Sequence, residues 1–441
     1  MFKTIKNAFK TPEVRKKLLL TLLLIVVFRM GCYIVVPGVD SKELANQLAN
    51  STNTLAGLVN TISGGAFSRL SIFAMSITPY ITASIIIQLL AMIIPSLEKL
   101  TKEGGEEGRK KVNFYTKVLT LALATVEAVG IYISYSKSYS TIIINPGLKT
   151  ATMFVLSLVA GTSILMWLGD QITNKGIGNG ISMLIFVGII SGLPSAALTV
   201  FNLAFRPFST VNLLIALAVV VGAILLIAGV VFVQEAERKI PVQYAKKVVG
   251  RKMYGGQNTH IPMKLAMAGV MPIIFASSFM TFPAMLIQIF SPSSIGGTGF
   301  LSGLYQFSIA TSTSQGVGLG FAAANAIVYL LLILAFTYFY TYATFNPAEV
   351  ANTIKKNGGF VPGIRAGKPT SDYIGSVLSK LTLFGGFFLS LIAVIPMFMR
   401  FTSLDLAFGG TSILIVVGVA LETIQQLESQ LLVRHYKGFL E

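Results

Sequence analysis

The chain is poor in charge. Charged residues make up 12% of its 441 positions, against about 25% in an average soluble domain. A conventional water-facing globule is therefore excluded. Cysteine occurs once, at Cys32 within an apolar run, so there is neither a disulfide framework nor a cysteine-based metal site. The two histidines, His260 and His435, fall in segments read as loops. That matters for Gly180-Ile181-Ser182, which has the look of a buried serine nucleophile but no base in any apolar run to activate it. Asp170 ends a run without a second aspartate for acid–base work. Neither a phosphate-cradling P-loop nor a His-Glu-x-x-His zinc motif occurs. These absences argue against an enzyme and call for no cofactor and no metal.

What the chain does have is apolar length. Hydrophobic residues reach 54%, and mean hydropathy is +0.75. Runs able to cross roughly 30 Å of hydrocarbon recur ten times, at about 18–36, 72–94, 118–136, 151–169, 180–198, 211–233, 265–290, 321–345, 373–399 and 411–430. The first run leaves through Val36-Pro37-Gly38 without a small-x-small cleavage pattern, so it is expected to be retained as a span. The net charge of +17 is distributed by topology. Of the 34 Lys and Arg, only Lys42, Arg69, Lys137, Lys149, Arg206 and Arg400 fall in segments on one side of the membrane, and only Arg29 and Lys380 within runs. The remainder crowd the other side, the positive-inside pattern, with both termini cytoplasmic.

Two patterns are written twice. Pro79-Tyr-Ile81-Thr-Ala83-Ser84 returns 193 residues later as Pro272-Ile-Ile274-Phe-Ala276-Ser277. Gly180-Ile-Ser182-Met-Leu184-Ile185-Phe-Val187-Gly188 returns as Gly410-Thr-Ser412-Ile-Leu414-Ile415-Val-Val417-Gly418. The first pair falls in runs two and seven, the second in runs five and ten. An offset of five crossings inverts the second half relative to the first, and such repeats place the working site between the halves. The expected fold is all-α: a polytopic membrane protein with ten transmembrane helices in two inverted five-helix halves, residues 1–205 and 206–441. Segment 55–71 is too broken to span and too apolar for an ordinary loop, which predicts a short re-entrant helix. Pro79 and Pro272, inside runs, predict kinked helices facing each other or a cavity.

At the repeated positions stand isoleucines. Ile81 aligns with Ile274 and Ile185 with Ile415, while Ile77 and Ile189 lie one helical turn from Ile81 and Ile185. Four helices presenting such side chains at one depth make a constriction that dewets; packing or lipid contact is the ordinary alternative. Gln88, Ser277, Ser278, Thr120 and Thr125 suggest a weak polar seam or simple interhelical glue. Arg29 and Lys380 are expected to snorkel or pair. Loops 234–264 and 346–372 are long and basic, beyond what a connection needs. They carry Arg238, Lys239, Lys246, Arg251, Lys252 and Arg365, a surface for an acidic or polyanionic partner. Two other readings stay open: an inverted-repeat secondary transporter using Glu127 and Glu422, and an intramembrane hydrolase at Ser182.

Several segments in order resemble the SecY family of protein-conducting channels over essentially the whole chain. They are Gly64-Gly65-Ala66-Phe67-Ser68-Arg69, Pro79 through Leu90, Gly176-Ile-Gly178-Asn179-Gly180-Ile-Ser182, Tyr244-Ala245-Lys246, Thr259-His260-Ile261-Pro262 and Gly409-Gly410-Thr411-Ser412. The resemblance implies a passive channel in the bacterial plasma membrane that opens across the bilayer and sideways into lipid. It implies a pore ring of Ile77, Ile81, Ile185, Ile189, Ile274 and Ile415, and a plug near 57–70 including Gly64, Gly65, Ala66 and Phe67. It further implies a lateral gate of spans two, three and seven, with Pro79, Gln88, Thr120, Pro272, Ser277 and Ser278, that admits signal sequences. Implied partners are SecE and SecG subunits, the SecA motor, a translating ribosome, translocating polypeptides and lipid. The basic loops would dock the motor or ribosome, through Arg238, Lys239, Lys246, Arg251, Lys252 and Arg365. One departure is visible: the family's usual Ile-Arg-Pro-Gly reads Ile364-Arg365-Ala366-Gly367 here, which is expected to loosen the loop tip slightly, with Pro369 compensating.

Overall fold

The computed structural model describes residues 2–40, 43, 63–102, 104–138, 142–145, 147–205, 209–244, 247–249, 252–254, 258–291, 299–309, 319–399 and 410–437. The first part of the chain forms α1 (Phe2–Lys10), α2 (Pro12–Gly31), α3 (Thr78–Ile93), α4 (Pro95–Lys102), α5 (Gly105–Ser138), α6 (Leu148–Lys175), α7 (Gly180–Ile190) and α8 (Leu193–Phe205). Then come α9 (Thr210–Glu235), β1 (Glu237–Tyr244), β2 (Lys247–Val249), β3 (Lys252–Tyr254) and β4 (Asn258–Lys264). The chain closes with α10 (Met271–Phe290), α11 (Phe300–Ile309), α12 (Leu319–Thr344), α13 (Pro347–Lys356), β5 (Gly359–Phe360), α14 (Lys368–Met399) and α15 (Gly410–Lys437).

Among the described residues seven helices are long and apolar enough to cross a membrane, or eight if the bent pair α3–α4 counts as one span. The expectation from the sequence was ten. Helices stand at the other two runs as well, but α2 carries Arg15, Lys16, Lys17 and Arg29, and the apolar part of α10 is short. Local chemistry explains the ends. Asn179 caps α7 by accepting from the N–H groups of Ile181 and Ser182, at 3.1 and 3.4 Å. Ile94 precedes Pro95, is extended as that position prefers, and turns the chain by 108° into α4.

The prolines of the repeat do not kink helices, contrary to the expectation. Each stands in the first turn of its helix, where a proline's missing N–H has no intrahelical partner to lose. Residues 72–77 and 265–270 form turns instead, so each apolar run opens with a turn and continues as helix. The two turns share one design. Ser76 and Gly269 have positive φ, 52° and 59°, and their N–H groups donate to Phe73 O and Ala266 O at 2.9 and 3.1 Å. All of these positions correspond at the 193-residue offset. A Cβ at Gly161 on α6 would overlap the carbonyl oxygen of Ile72, and one at Gly385 on α14 that of the corresponding Leu265. Glycine is thus required twice for the same backbone approach.

Helix packing recurs in the same way. α3 packs on α5, α5 on α6, α6 on α7, and α2 on α6 and α7; correspondingly α10 packs on α12, α12 on α14, α14 on α15, and α9 on α14 and α15. Between these sets α3 and α5 meet α10, and α7 meets α15. A single large apolar cluster runs through the middle. α9 is apolar along its whole length yet buries only Ala216, Val230, Val233 and Gln234, the surface of a helix bathed in lipid.

The helical fold carries one element the sequence reading treated as loop. β1 pairs antiparallel with β4, setting Arg238 opposite Met263 and Ile240 opposite Ile261, and with β5, setting Tyr244 opposite Gly359. The resulting sheet, ordered β4-β1-β5, joins loop 234–264 to loop 346–372. Ile240, Val242 and Met263 are buried against Ile354, Val361, Ile374 and Leu378.

Candidate functional site

Ile77 is the N-cap residue of α3 and Ile81 lies one turn into it; Ile274 is in the first turn of α10. Ile185 and Ile189 are on α7 and Ile415 on α15. All six belong to the one central cluster, and each is 8% exposed or less. The turns before α3 and α10 start the two helices at equivalent points, and this sets their isoleucines at matching positions. The arrangement offers neither a charge nor a hydrogen-bonding group to a ligand. It is an apolar cluster in which water finds no polar partner.

Of the re-entrant segment 55–71, residues 55–62 lie outside the described residues. Residues 63–70 are a series of turns. Gly64 and Gly65 take φ of 64° and 86°, Ala66 is fully buried, and Phe67 packs in a second apolar cluster with Val36, Leu70 and Met75. Ser63 Oγ accepts from Phe67 N–H at 3.2 Å. Val36 N–H donates to Leu70 O and Ile72 N–H to Ile34 O, each at 2.9 Å, tying the segment's end to the exit of α2. Arg29 is half-buried and makes no ion pair among the described residues. Its Nη1 donates to Gly64 O at 2.9 Å and to Ser191 Oγ at 3.1 Å.

α3, α5 and α10 pack together as a triangle. Pro79 and Pro272 open α3 and α10, and Gln88, Thr120, Ser277 and Ser278 lie along the three helices. Their hydrogen bonds stay within each helix. Gln88 Nε2 donates to Ser84 Oγ at 3.3 Å, Thr120 Oγ1 to Thr116 O at 2.7 Å, Thr125 Oγ1 to Leu121 O at 2.8 Å and Ser277 Oγ to Ile274 O at 2.9 Å. Ser278 offers its carbonyl to Thr281 at 3.1 Å. Beside Gln88 a cleft of about 210 Å3 is lined by Tyr80, Ser84, Arg109, Asn113 and Thr116.

In the basic loops Arg238 and Lys239 are exposed on β1, with Lys239 Nζ 3.2 Å from Glu237. Arg365 is exposed in the turn after β5, and its carbonyl accepts from Thr370 Oγ1 at 2.8 Å. Ala366 stands in that turn between Gly363 (φ 82°) and Gly367 (φ 106°). Lys252 opens β3; Lys246 and Arg251 lie outside the described residues.

One group went unrecognised in the sequence. Loop 176–180 crosses between α6 and α7 with its backbone donors taken by three helices. Thr21 Oγ1 on α2 accepts from Ile177 N–H at 3.1 Å, Gln426 Oε1 on α15 from Gly178 N–H at 2.6 Å, and Thr173 Oγ1 on α6 from Gly180 N–H at 2.9 Å. The glycine-rich spelling was visible, but not the distant side chains that complete it.

Fold and site together define a class: a multi-pass helical membrane protein whose two sets of helices share one large apolar cluster and whose two basic loops are joined by a small sheet. Comparison with known proteins makes this specific. The family model SecY matches residues 71–424. The protein translocase subunit SecY of Streptomyces scabiei is 43% identical over 100% of both chains, and that of Halalkalibacterium halodurans 42% over 100% of both. The Rickettsia conorii protein of the same name is 43% identical over 96% of this chain and 95% of its own. A solved structure of a protein-conducting channel superposes with a TM-score of 0.64 at 21% identity, covering 94% of this chain and 91% of that one. Sec61 in a canine ribosome–channel complex from the endoplasmic reticulum superposes at 0.62 and 20%, covering the same shares. The chain belongs to the SecY family, and it is a protein-conducting channel subunit.

Proposed function

We propose that this chain moves unfolded secretory polypeptides across the bacterial plasma membrane and releases membrane segments sideways into lipid, driven from the cytoplasm and performing no catalysis itself. The observation that carries the reading is the convergence of six isoleucines, from four helices, in one buried cluster. In this arrangement Ile77, Ile81, Ile185, Ile189, Ile274 and Ile415 are the pore ring. The segment containing Gly64, Gly65, Ala66 and Phe67 is the plug. α3, α5 and α10 form the lateral gate, with Pro79, Gln88, Thr120, Pro272, Ser277 and Ser278 along it, and signal sequences enter between them.

The paired turns and the recurrent helix packing support two inverted halves, residues 1–205 and 206–441, with ten spans and both termini cytoplasmic. The basic unit built on β4-β1-β5 would then face the cytoplasm. Arg238, Lys239, Lys246, Arg251, Lys252 and Arg365 would meet a ribosome or the SecA motor there. SecE and SecG subunits complete the assembly. That some of its structural relatives are bound to ribosomes supports the docking assignment.

Site-specific photocrosslinking tests the reading. A probe at Ile274 or Ile185, in membranes holding a translocation intermediate stalled midway, is expected to capture the stalled polypeptide. Capture of neighbouring helices alone, while probes elsewhere reach the chain, removes the pore assignment.

A further inference from the structure

Arg29 is a cation inside an apolar span, a placement that is costly and therefore tends to mark a working residue. Its surroundings are specific. Nη1 donates to the carbonyl of Gly64 and to the hydroxyl of Ser191, at 2.9 and 3.1 Å. Ser191 can accept because its own proton goes to Gly188 O at 2.6 Å. One guanidinium thus joins α2, the turn 63–67 and the C-terminal end of α7, across 35 and 162 residues of sequence. Gly64 is fitted to it: φ is 64°, and a Cβ there would stand 2.5 Å from Arg29 Nη1, 2.8 Å from Ser191 Oγ and 3.0 Å from Gly188 Cα. The bond partners are neutral oxygens. Among the described residues Lys117 pairs with Asp170 and Lys239 with Glu237, and neither pair includes Arg29.

The geometry points to Arg29 as the latch that holds the root of the plug against α7 while the channel is closed. The inference rests on the plug reading of the segment given above. Charge-assisted bonds to a carbonyl and a hydroxyl are stronger than ordinary ones. A carboxylate buried beside the arginine would bind it more firmly and would itself need a partner on release. A carbonyl does not. When the plug leaves, water entering the opened pore can replace Gly64 O on the guanidinium, and Gly64 O is free to hydrogen-bond elsewhere. Arg29 is thereby a positioning residue, and the latch is reversible.

The chain supplies its own reporter. Cys32, its only cysteine, is fully buried, and its thiol lies 3.9 Å from Ser63 O at the same turn. Displacing the root uncovers it. In membrane vesicles holding the assembled complex, the rate at which a small maleimide labels Cys32 reads the latch. Arg29→Met, which loses both bonds, is expected to raise the resting rate about tenfold or more, tenfold being the factor for a single hydrogen bond to a charged group. Ser191→Ala should give a smaller rise, and Arg29→Lys, which keeps a donor, should label close to the native rate. In the native chain a stalled precursor should raise labelling to the level of Arg29→Met. Native-rate labelling in Ser191→Ala, or in Arg29→Met if that variant assembles, overturns the latch, whatever the isoleucine probes capture. Fast labelling in both variants with no response to a precursor keeps the clamp and overturns the plug reading instead.

Discussion

At the scale of single residues, the instructive positions are those whose partners lie far away in sequence. Four of the isoleucines, Ile81, Ile185, Ile274 and Ile415, stood out because the repeat names them in pairs, and Ile77 and Ile189 because they lie one turn away. Arg29 was legible only as an anomaly, a charge in an apolar run, since its acceptors come from Gly64 and Ser191. Gln426 gave no signal at all. It sits in the polar end of α15, where a glutamine is unremarked, yet it satisfies the Gly178 N–H at 2.6 Å. Gln426→Leu strands that donor in a partly buried site, and the penalty for an unpaired buried group is about 1–3 kcal/mol. The expected outcome is a lower midpoint of thermal unfolding in detergent, whereas Gln426→Glu, still an acceptor, should lose much less.

At the scale of elements, the apolar runs announced helices, and helices stand at all ten. Where helices begin inside those runs was misread. A proline in a continuous apolar stretch looks like a kink, but Ser76 and Gly269 adopt positive φ and end a turn just ahead of each helix. No pattern of hydrophobicity records that. The sheet was missed for a related reason. β1 opens with Glu237-Arg238-Lys239 and contains Pro241, so its alternation is short, and it becomes a strand only by pairing with β4 and β5. Its buried face is now a point of failure. Ile240 is 1% exposed, and Ile240→Asp places a charge in that small core at a cost of several kcal/mol. The expected result is protease cleavage within 237–264 and loss of partner docking, while the membrane helices stay resistant; an uncut loop would show that the sheet does not hold the unit together.

At the scale of the whole molecule, the net charge of +17 is concentrated in the segments expected to face one side of the membrane, a surplus the sequence displayed plainly. What it could not display is that the two basic loops form one folded unit through β4-β1-β5. Exposed Arg238 and Arg365 are therefore carried on a common frame. If that frame meets ribosomal RNA, binding must weaken steeply with salt, and each phosphate contact removed should lower the slope of log affinity against log salt by about one. Arg365→Glu and Arg238→Glu are expected to do so together with a loss of affinity, measured by titrating ribosomes onto the reconstituted complex at several ionic strengths. An unchanged slope would assign both arginines a role outside the contact.

The polar groups along α3, α5 and α10 have a consequence of their own. Gln88, Thr120 and Ser277 each spend their hydrogen bonds within their own helix. If these helices part as the gate proposed above, these residues lose no hydrogen bond between helices, and the dispersion contacts they give up can be replaced by lipid tails. A segment wedged between them need not bring a donor or an acceptor in any particular place. Its entry is decided by partitioning, the summed preference of its side chains for hydrocarbon over water. An opening built this way cannot read a sequence; it weighs one, and the many unrelated peptides that share only an oily stretch pass the same scale.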